Sequence, residues 1–178
     1  MKKCAQAGML FTIYNKKLGR HFMKDVLDNL WTEVFKPMFR RPPRIQFAAL
    51  CHRETKNGRQ VLLITSRDTG RWIIPKGWPM AGRSSAETAL QEAWEEAGVK
   101  AQVLASNPIG KYTYEKGLDN GLSTQVETIV YPIEVGTLAD SFPEAAERNR
   151  KWVTLDEAAN LVDEPELKQI FKDFKVSN

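Results

Sequence analysis

Three glutamates, Glu92, Glu95 and Glu96, are the residues of this sequence whose type and spacing most directly suggest chemistry. A helix has about 3.6 residues per turn, so positions three and four apart lie on one face and the three carboxylates would be neighbours there. Like charges at this spacing destabilise an isolated helix, whereas a hard divalent cation such as Mg²⁺ or Mn²⁺ takes oxygen ligands and offsets the repulsion. The spacing therefore predicts a metal-binding helix, with a solvated acidic helix face as the alternative.

Local signals define the helix that would carry these glutamates. Ser84 and Glu87 have the spacing of a capping box and Gly98 is a typical helix stop, so we expect a helix that ends near residue 97. A glycine-containing loop at Gly77 precedes it. One face of the helix carries mostly small apolar side chains, which would let it approach a sheet closely: Ala86, Ala89, Leu90, Ala93 and Ala97. The acidic face would then lie at the edge of a cleft.

The rest of the chain alternates strand-like runs with turn signals, which predicts an α/β fold. Apolar and β-branched runs predict strands at 44–50, 60–66, 71–76, 100–105, 110–115, 124–135 and 151–154. Asn57-Gly58 marks a hairpin turn, and Pro132 predicts an edge or a bulge within its strand. Amphipathic periodicity predicts two further helices, at 156–162 and 164–174.

An N-terminal extension, residues 1–41, is expected to be separate from a second domain at 42–178. Apolar residues recur at three- and four-residue steps over 23–36, which predicts an amphipathic helix. Pro42-Pro43 marks the hinge between the two parts. The helix would pack on the second domain or, alternatively, form a homodimer contact or touch a membrane surface.

Composition narrows the class of protein. The chain has 178 residues, a net charge of +4 and a pI near 9.1, a mild basic excess that suits an anionic small molecule or a weak nucleic-acid contact; we expect no stable nucleic-acid complex. Two cysteines and two histidines provide no disulfide framework and no zinc cluster, which favours a reducing, cytoplasmic setting. No apolar run reaches the roughly 18 residues typical of a membrane-spanning helix.

The stretch from residue 77 to residue 99, GWPMAGRSSAETALQEAWEEAGV, resembles the Nudix box, Gly-x5-Glu-x7-Arg-Glu-x2-Glu-Glu-x-Gly followed by an aliphatic residue. Six positions agree in register: Gly77, Glu92, Glu95, Glu96, Gly98 and Val99. Two differ, since Arg83 stands at the first glutamate of the pattern and Gln91 at its arginine, two positions that brace each other in the family. The resemblance implies a Nudix-type α/β/α sandwich with a mixed sheet over roughly residues 43–176.

The resemblance also implies roles for the matching residues. Glu95 and Glu96 would be the main ligands of Mg²⁺ or Mn²⁺, helped by the carbonyl of Gly77, and Glu92 would bind a further ion or act as base on a metal-bound water. Glu92 and Glu96 are therefore the candidate catalytic residues, and the implied reaction is hydrolysis of a diphosphate linkage. Two residues are candidates for a later acidic group that often completes such a site: Glu127 and Glu147.

The flanking sequences PKGWP, EKGLDNG and ERNRKWVTLDEA resemble the branch of the family that contains diphosphoinositol polyphosphate phosphohydrolases and dinucleoside polyphosphate hydrolases. Such substrates carry many phosphates, so Arg67, Arg71 and Lys76 are the candidate substrate-binding residues, and Trp78 is the aromatic candidate for base stacking. Further basic residues could add to this cluster: Arg83, Lys111, Lys116, Arg150 and Lys151. We therefore expect a metal-dependent hydrolase of a nucleoside- or inositol-type polyphosphate; the alternative is a weakly active or inactive binding or sensor module of the same fold.

Overall fold

The computed structural model describes residues 44–117 and 122–176 of the chain. These fall within the second of two units into which the chain divides, Pro43–Asn178. The predicted helix at 23–36, the extension 1–41 that contains it and the homodimer contact assigned to it lie outside the described residues. Within the described part, no helix combines the length and the apolar character that crossing a membrane requires.

A mixed sheet of eight strands forms the centre of the described residues. Its strands are β1 (Arg44–Thr55), β2 (Gly58–Thr65), β3 (Trp72–Ile73), β4 (Lys76–Gly77), β5 (Val99–Leu104), β6 (Gly110–Gly117), β7 (Ser123–Leu138) and β8 (Arg150–Thr154). The central order is β3-β2-β1-β7-β5, while β4 also pairs with β1, β6 with β7 and β8 with β2. The β1–β7 pair is parallel and the other pairs are antiparallel.

The sheet buries side chains on both faces because its central strands are apolar at successive positions. In β1, Leu50 faces one side and Cys51 faces the other. The first side packs against α2 (Leu155–Leu161) and α3 (Pro165–Val176), and the second packs against α1 (Ser85–Ala97). Helices therefore cover both faces of a mixed sheet, which confirms the predicted α/β/α sandwich for the described residues.

Capping interactions bound α1 as its sequence predicts. The Ser84 hydroxyl accepts a hydrogen bond from the Glu87 N–H at 3.3 Å, and the Glu87 carboxylate accepts one from the Ser84 N–H at 2.8 Å. Gly98 ends the helix in the left-handed conformation, with φ of 67°. Three alanines of α1 are fully buried against the sheet, where their small side chains allow close approach: Ala89, Ala93 and Ala97. The helix bearing the three glutamates is thus held close to the sheet.

The predicted strand at 71–76 is two short strands with different partners. β3 pairs with β2, placing Ile73 opposite Ile64, whereas β4 pairs with β1, placing Gly77 opposite Phe47. Between them the Pro75 carbonyl accepts a hydrogen bond from a β1 amide at 2.9 Å. This change of partner, from β2 to β1, brings Gly77 beside the helix that carries the glutamates.

Pro132 lies in β7, which is an interior strand and not an edge strand. On the side away from β1, β6 pairs with β7 only as far as Val130, and β5 pairs with it from Ile133. Pro132 has no N–H to donate, and it lies at the junction of these two pairings. The proline therefore marks a local break in pairing on one side of a continuous strand.

We predict that Gly98→Ala destabilises the protein more than Gly82→Ala does. Both glycines have positive φ, so alanine adds about 1–2 kcal/mol of backbone strain at each position. A Cβ at Gly98 would also lie 2.7 Å from Phe142 and 2.9 Å from the Ala139 carbonyl, whereas a Cβ at Gly82 meets nothing within 4 Å. Overpacking should add roughly 1–3 kcal/mol at Gly98, measured by urea unfolding followed by circular dichroism. Equal losses in the two variants would contradict this.

Candidate functional site

A polar cleft opens where β4, α1, the turn after β2 and the loop before β8 meet. Seven residues singled out in the sequence line it: Arg67, Lys76, Gly77, Trp78, Glu92, Glu96 and Lys116. The other lining residues were not selected from the sequence: Gln46, Ser66, Asp68, Ile73, Glu144 and Arg148. The fold therefore brings the ends of the glycine loop and of the acidic helix together with basic side chains from distant segments.

Glu96 is the most deeply buried carboxylate of the cleft, with 6% of the residue exposed. Its Oε2 accepts a hydrogen bond from the Lys76 backbone N–H at 2.9 Å, and its Oε1 accepts one from Nη2 of Arg148. Burial raises the pKa of Glu96, while the Arg148 guanidinium and the Lys76 amide act in the opposite direction. Two partners from different elements thus fix this carboxylate in place.

Glu92 lies one helical turn earlier and packs its carboxylate directly against Gly77. A Cβ built on Gly77 would overlap the carboxylate carbon and oxygens of Glu92, so any other residue at position 77 would displace it. Burial, together with the neighbouring carboxylates Glu96 and Glu95, raises the pKa of Glu92 to about 7. The glycine that opens the motif is therefore required for the space that Glu92 occupies.

Glu95 is on the same helix but its carboxylate is bound elsewhere. Gln91, which stands at the arginine position of the Nudix pattern, donates a hydrogen bond from Nε2 to Oε1 of Glu95 at 2.6 Å. Across the described residues, no three His, Cys, Asp or Glu side chains are gathered closely enough to hold a metal ion. The structure thus brings Gly77, Glu92 and Glu96 to one cleft and keeps the Glu95 side chain on Gln91.

The donor chemistry of the cleft nevertheless fits a hard divalent cation. Glu92, Glu96 and the Gly77 carbonyl offer oxygen atoms only, which is the ligand type of Mg²⁺ and Mn²⁺. Burial and the neighbouring carboxylates both disfavour the charged form of Glu92, and a bound cation would offset both effects.

The three predicted substrate-binding residues lie in two adjoining clefts. Arg67 follows β2 and pairs with Glu144 and Glu147 at 3.3 and 3.4 Å. Arg71 lies in the neighbouring cleft, pairs with Glu164 at 3.1 Å and does not line the cleft of the glutamates. Lys76 and Lys116 line both clefts, so they connect them. Burial lowers the pKa of Lys76, an effect that Glu96 opposes.

Other basic candidates are used elsewhere in the fold. Lys111 pairs with Glu127 at 2.8 Å, beside an apolar surface pocket away from the cleft. Arg150 donates hydrogen bonds to the carbonyls of Ala97 and Ala139 at 2.9 and 2.8 Å, at the end of α1. Neither Arg83 nor Lys151 lines the two clefts described above.

Glu144 and Arg148 are two charged cleft residues that were not selected from the sequence. Both belong to the loop between β7 and β8, which has no periodic pattern; Arg148 lies in the stretch ERNRKWVTLDEA, but the resemblance of that stretch indicates a substrate class and not a role for this residue. Of the two acidic candidates proposed from the sequence, Glu127 is on β7 near Lys111, and Glu147 is an exposed partner of Arg67. Glu144 is the loop carboxylate that lines the cleft.

Comparison with known proteins agrees with this fold. The sequence model of the NUDIX domain family matches residues 42–174. Nudix hydrolase 21, chloroplastic, from Arabidopsis thaliana is 32% identical over 116 residues, which are 65% of this chain and 56% of that protein. Diphosphoinositol polyphosphate phosphohydrolase 3-beta from Homo sapiens is 27% identical over 117 residues, 65% of this chain and 66% of that protein.

Solved structures show the same fold at low identity. A C. elegans Ap4A hydrolase superposes with a TM-score of 0.55 at 18% identity, over 75% of this chain and 96% of that chain. A MutT protein from Methanosarcina mazei Go1 superposes with a TM-score of 0.54 at 22% identity, over 76% and 95%. The chain spans about half the length of the Arabidopsis relatives it matches. From the family match over residues 42–174, the chain belongs to the NUDIX domain family.

Proposed function

We propose that the chain is a Mg²⁺- or Mn²⁺-dependent hydrolase that cleaves a phosphoanhydride bond in a nucleoside- or inositol-type polyphosphate. The observation that carries this is the arrangement of Glu92 and Glu96 against Gly77 in a cleft lined by Arg67 and Lys76. The relatives whose names state a reaction, the diphosphoinositol polyphosphate phosphohydrolases, support the same class of substrate. Hydrolysis of such a bond requires compensation of dense negative charge, which this cleft is built to provide.

Glu96 and the Gly77 carbonyl would hold the metal, and Glu95 would join them by leaving Gln91. Glu92 would either bind a further ion or act as the base. A bound cation would neutralise charge on the phosphates and make a water molecule easier to deprotonate. The chain's own residues orient the reactants. The Glu92 carboxylate lies where a side chain at position 77 would otherwise be, and it lines the cleft. From there, as the base, it can take a proton from the attacking water. Lys76, Lys116 and Arg67 would bind phosphate oxygens, with Arg71 available to further phosphates in the adjoining cleft.

Charge and shape favour a nucleoside polyphosphate over a densely phosphorylated inositol. Four basic and four acidic side chains line the cleft, so it has no large positive excess before metal binds. Trp78 borders the cleft with 37% of the residue exposed, and the Arg44 and Lys116 cations lie 5.9 and 5.4 Å from its ring centre. An exposed indole beside a phosphate cleft offers a flat surface on which a base can stack.

A binding or sensor module is the second candidate, because Arg83 and Gln91 replace two positions of the motif and Gln91 holds Glu95. Turnover of a panel of diadenosine polyphosphates, ADP-ribose, nucleoside triphosphates and diphosphoinositol phosphates distinguishes the two. The hydrolase proposal requires turnover of at least one member with Mg²⁺ or Mn²⁺; binding without turnover supports the module.

We also propose that the chain consists of an extension, residues 1–41, and a hydrolase domain, residues 42–178, and that it acts in the cytoplasm. Cys51 is fully buried, and burial raises the pKa of its thiol, so it suits packing in a reducing environment and not a reactive role. A phosphorylated small molecule is the partner that the cleft would take, and we propose no stable nucleic-acid complex.

Glu96→Gln should lower kcat/KM on the best panel substrate by at least roughly 100-fold, because the variant loses the charge that faces the metal. Calorimetric titration with Mn²⁺ should show a matching loss of affinity. Glu166→Gln, an exposed carboxylate on α3, is the matched control and should leave both quantities unchanged. Activity like that of the unmodified protein in Glu96→Gln would remove Glu96 from the site.

Gly77→Ala should lower kcat/KM by roughly 10–100-fold while the protein stays folded, because the new methyl group displaces the Glu92 carboxylate. Gly136→Ala provides the control, since that glycine lines neither cleft and a Cβ there has its nearest contact at 3.3 Å. Initial rates and thermal unfolding of both variants check this. Unchanged activity of Gly77→Ala would show that catalysis does not require the Glu92 carboxylate at its position beside Gly77.

Trp78→Ala should raise KM for a nucleoside polyphosphate roughly tenfold, because stacking of one base on an aromatic ring contributes about 1–3 kcal/mol. Trp78→Phe, which keeps an aromatic face, should retain most of the affinity. KM for a diphosphoinositol phosphate should change little in either variant. Equal changes of KM for both substrate types would argue against base stacking.

A further inference from the structure

We propose that Arg148 is the positioning residue of this site: it holds the Glu96 carboxylate in the orientation that a divalent cation needs. The inference rests on the proposed function of the cleft. Only 4% of the Arg148 side chain is exposed, so its charge is compensated by protein groups and not by water. Its role follows from the identity of those groups and from the elements to which they belong.

The Arg148 guanidinium contacts three separate elements. Nη1 donates to the Thr65 carbonyl at the end of β2 at 2.9 Å, Nε donates to Oε2 of Glu144 at 2.5 Å, and Nη2 donates to Oε1 of Glu96 on α1. The guanidinium is planar and its donors have fixed directions. Because Thr65 and Glu144 set the plane of the group, they also set the point from which it binds Glu96.

The contact orients Glu96 without using up its capacity to bind a cation. An ionised carboxylate has about four lone-pair sites. The Lys76 N–H occupies one of these sites on Oε2 of Glu96, at 2.9 Å, and Arg148 occupies one on Oε1. The remaining sites are free to bind a cation from the cleft that Glu96 lines. Arg148 therefore acts through Glu96 and does not itself bind substrate in this arrangement.

Backbone hydrogen bonds fix the loop that carries Arg148. The Glu144 N–H donates to the Glu95 carbonyl at 3.0 Å, and the Ala139 N–H donates to the Gly98 carbonyl at 2.8 Å. The loop is thus attached to the last turn of α1 at two points. Gln91, at the arginine position of the motif, donates to Glu95 and not to Glu96. In this chain the guanidinium that pairs with the buried Glu96 comes from the loop between β7 and β8.

Calorimetric titration of the full chain with Mn²⁺ tests the proposal through Arg148→Lys, with Arg150→Lys as the matched control. Arg150 is a half-buried arginine two residues away that donates to main-chain carbonyls at the end of α1. Both variants should lose stability in urea unfolding of the metal-free protein. Arg148→Lys alone should raise the Kd for Mn²⁺ by roughly 10–100-fold, and the Mn²⁺ concentration for half-maximal turnover in parallel.

Each outcome decides between the proposal and a purely structural role. An unchanged Kd in Arg148→Lys, or an equal rise in both variants, overturns the positioning role while leaving the proposed function intact. Failure of the unmodified protein to bind Mn²⁺ and to hydrolyse any substrate of the panel overturns the proposed function, and the inference with it.

Glu144→Gln provides a second variant if Arg148→Lys does not fold, because Glu144 is partly exposed and orients Nε of Arg148. It should raise the Kd for Mn²⁺ by a smaller factor than Arg148→Lys. Where both variants fold, the double variant should bind no more weakly than Arg148→Lys alone, since the two residues act as one unit. An unchanged Kd in Glu144→Gln, or additive losses in the double variant, contradicts this and argues against action through Arg148.

Discussion

A buried carboxylate must be compensated where it lies, and the arrangement of the cleft depends on how this is done for Glu96. The Lys76 amide reaches it because the chain changes strand partner from β2 to β1 between β3 and β4, which brings that segment beside α1. Arg148 reaches it because the loop before β8 is attached to the end of α1. Both contacts offset the cost of burying Glu96, since an unpaired buried charge is strongly unfavourable.

Small residues allow α1 to lie close to the sheet and two of its glutamates to reach the cleft. Ala89, Ala93 and Ala97 let α1 lie close to the sheet, which brings its acidic face to the level of β4. At Gly77 the missing side chain leaves the volume that the Glu92 carboxylate fills. Gly77 and Glu92 are therefore one packing unit. This contact explains why the two residues are fifteen positions apart, which helical periodicity alone does not.

Features that depend on neighbouring residues were predictable from the sequence. The capping box at Ser84, the stop at Gly98 and the acidic face all follow from spacings of a few residues, and the structure contains them. The family and its sandwich fold followed from one motif. Features that depend on distant partners were not predictable. Examples are the hydrogen bond that takes Glu95 to Gln91 instead of the cleft, and the two strands that share one side of β7 at Pro132.

By itself the sequence determined that three carboxylates share a helix behind a glycine loop, because helical period and capping are properties of short segments. Only the tertiary structure decided which charges meet. Arg67, Arg71, Arg148 and Arg150 are chemically alike, yet they have different partners. Arg71 and Arg148 pair with buried glutamates in different parts of the fold, Arg150 caps a helix and Arg67 pairs with carboxylates of the loop before β8. Partner choice among like charges is set by the path of the backbone over tens of residues. Arg148 and Glu96, fifty-two positions apart, meet for that reason alone.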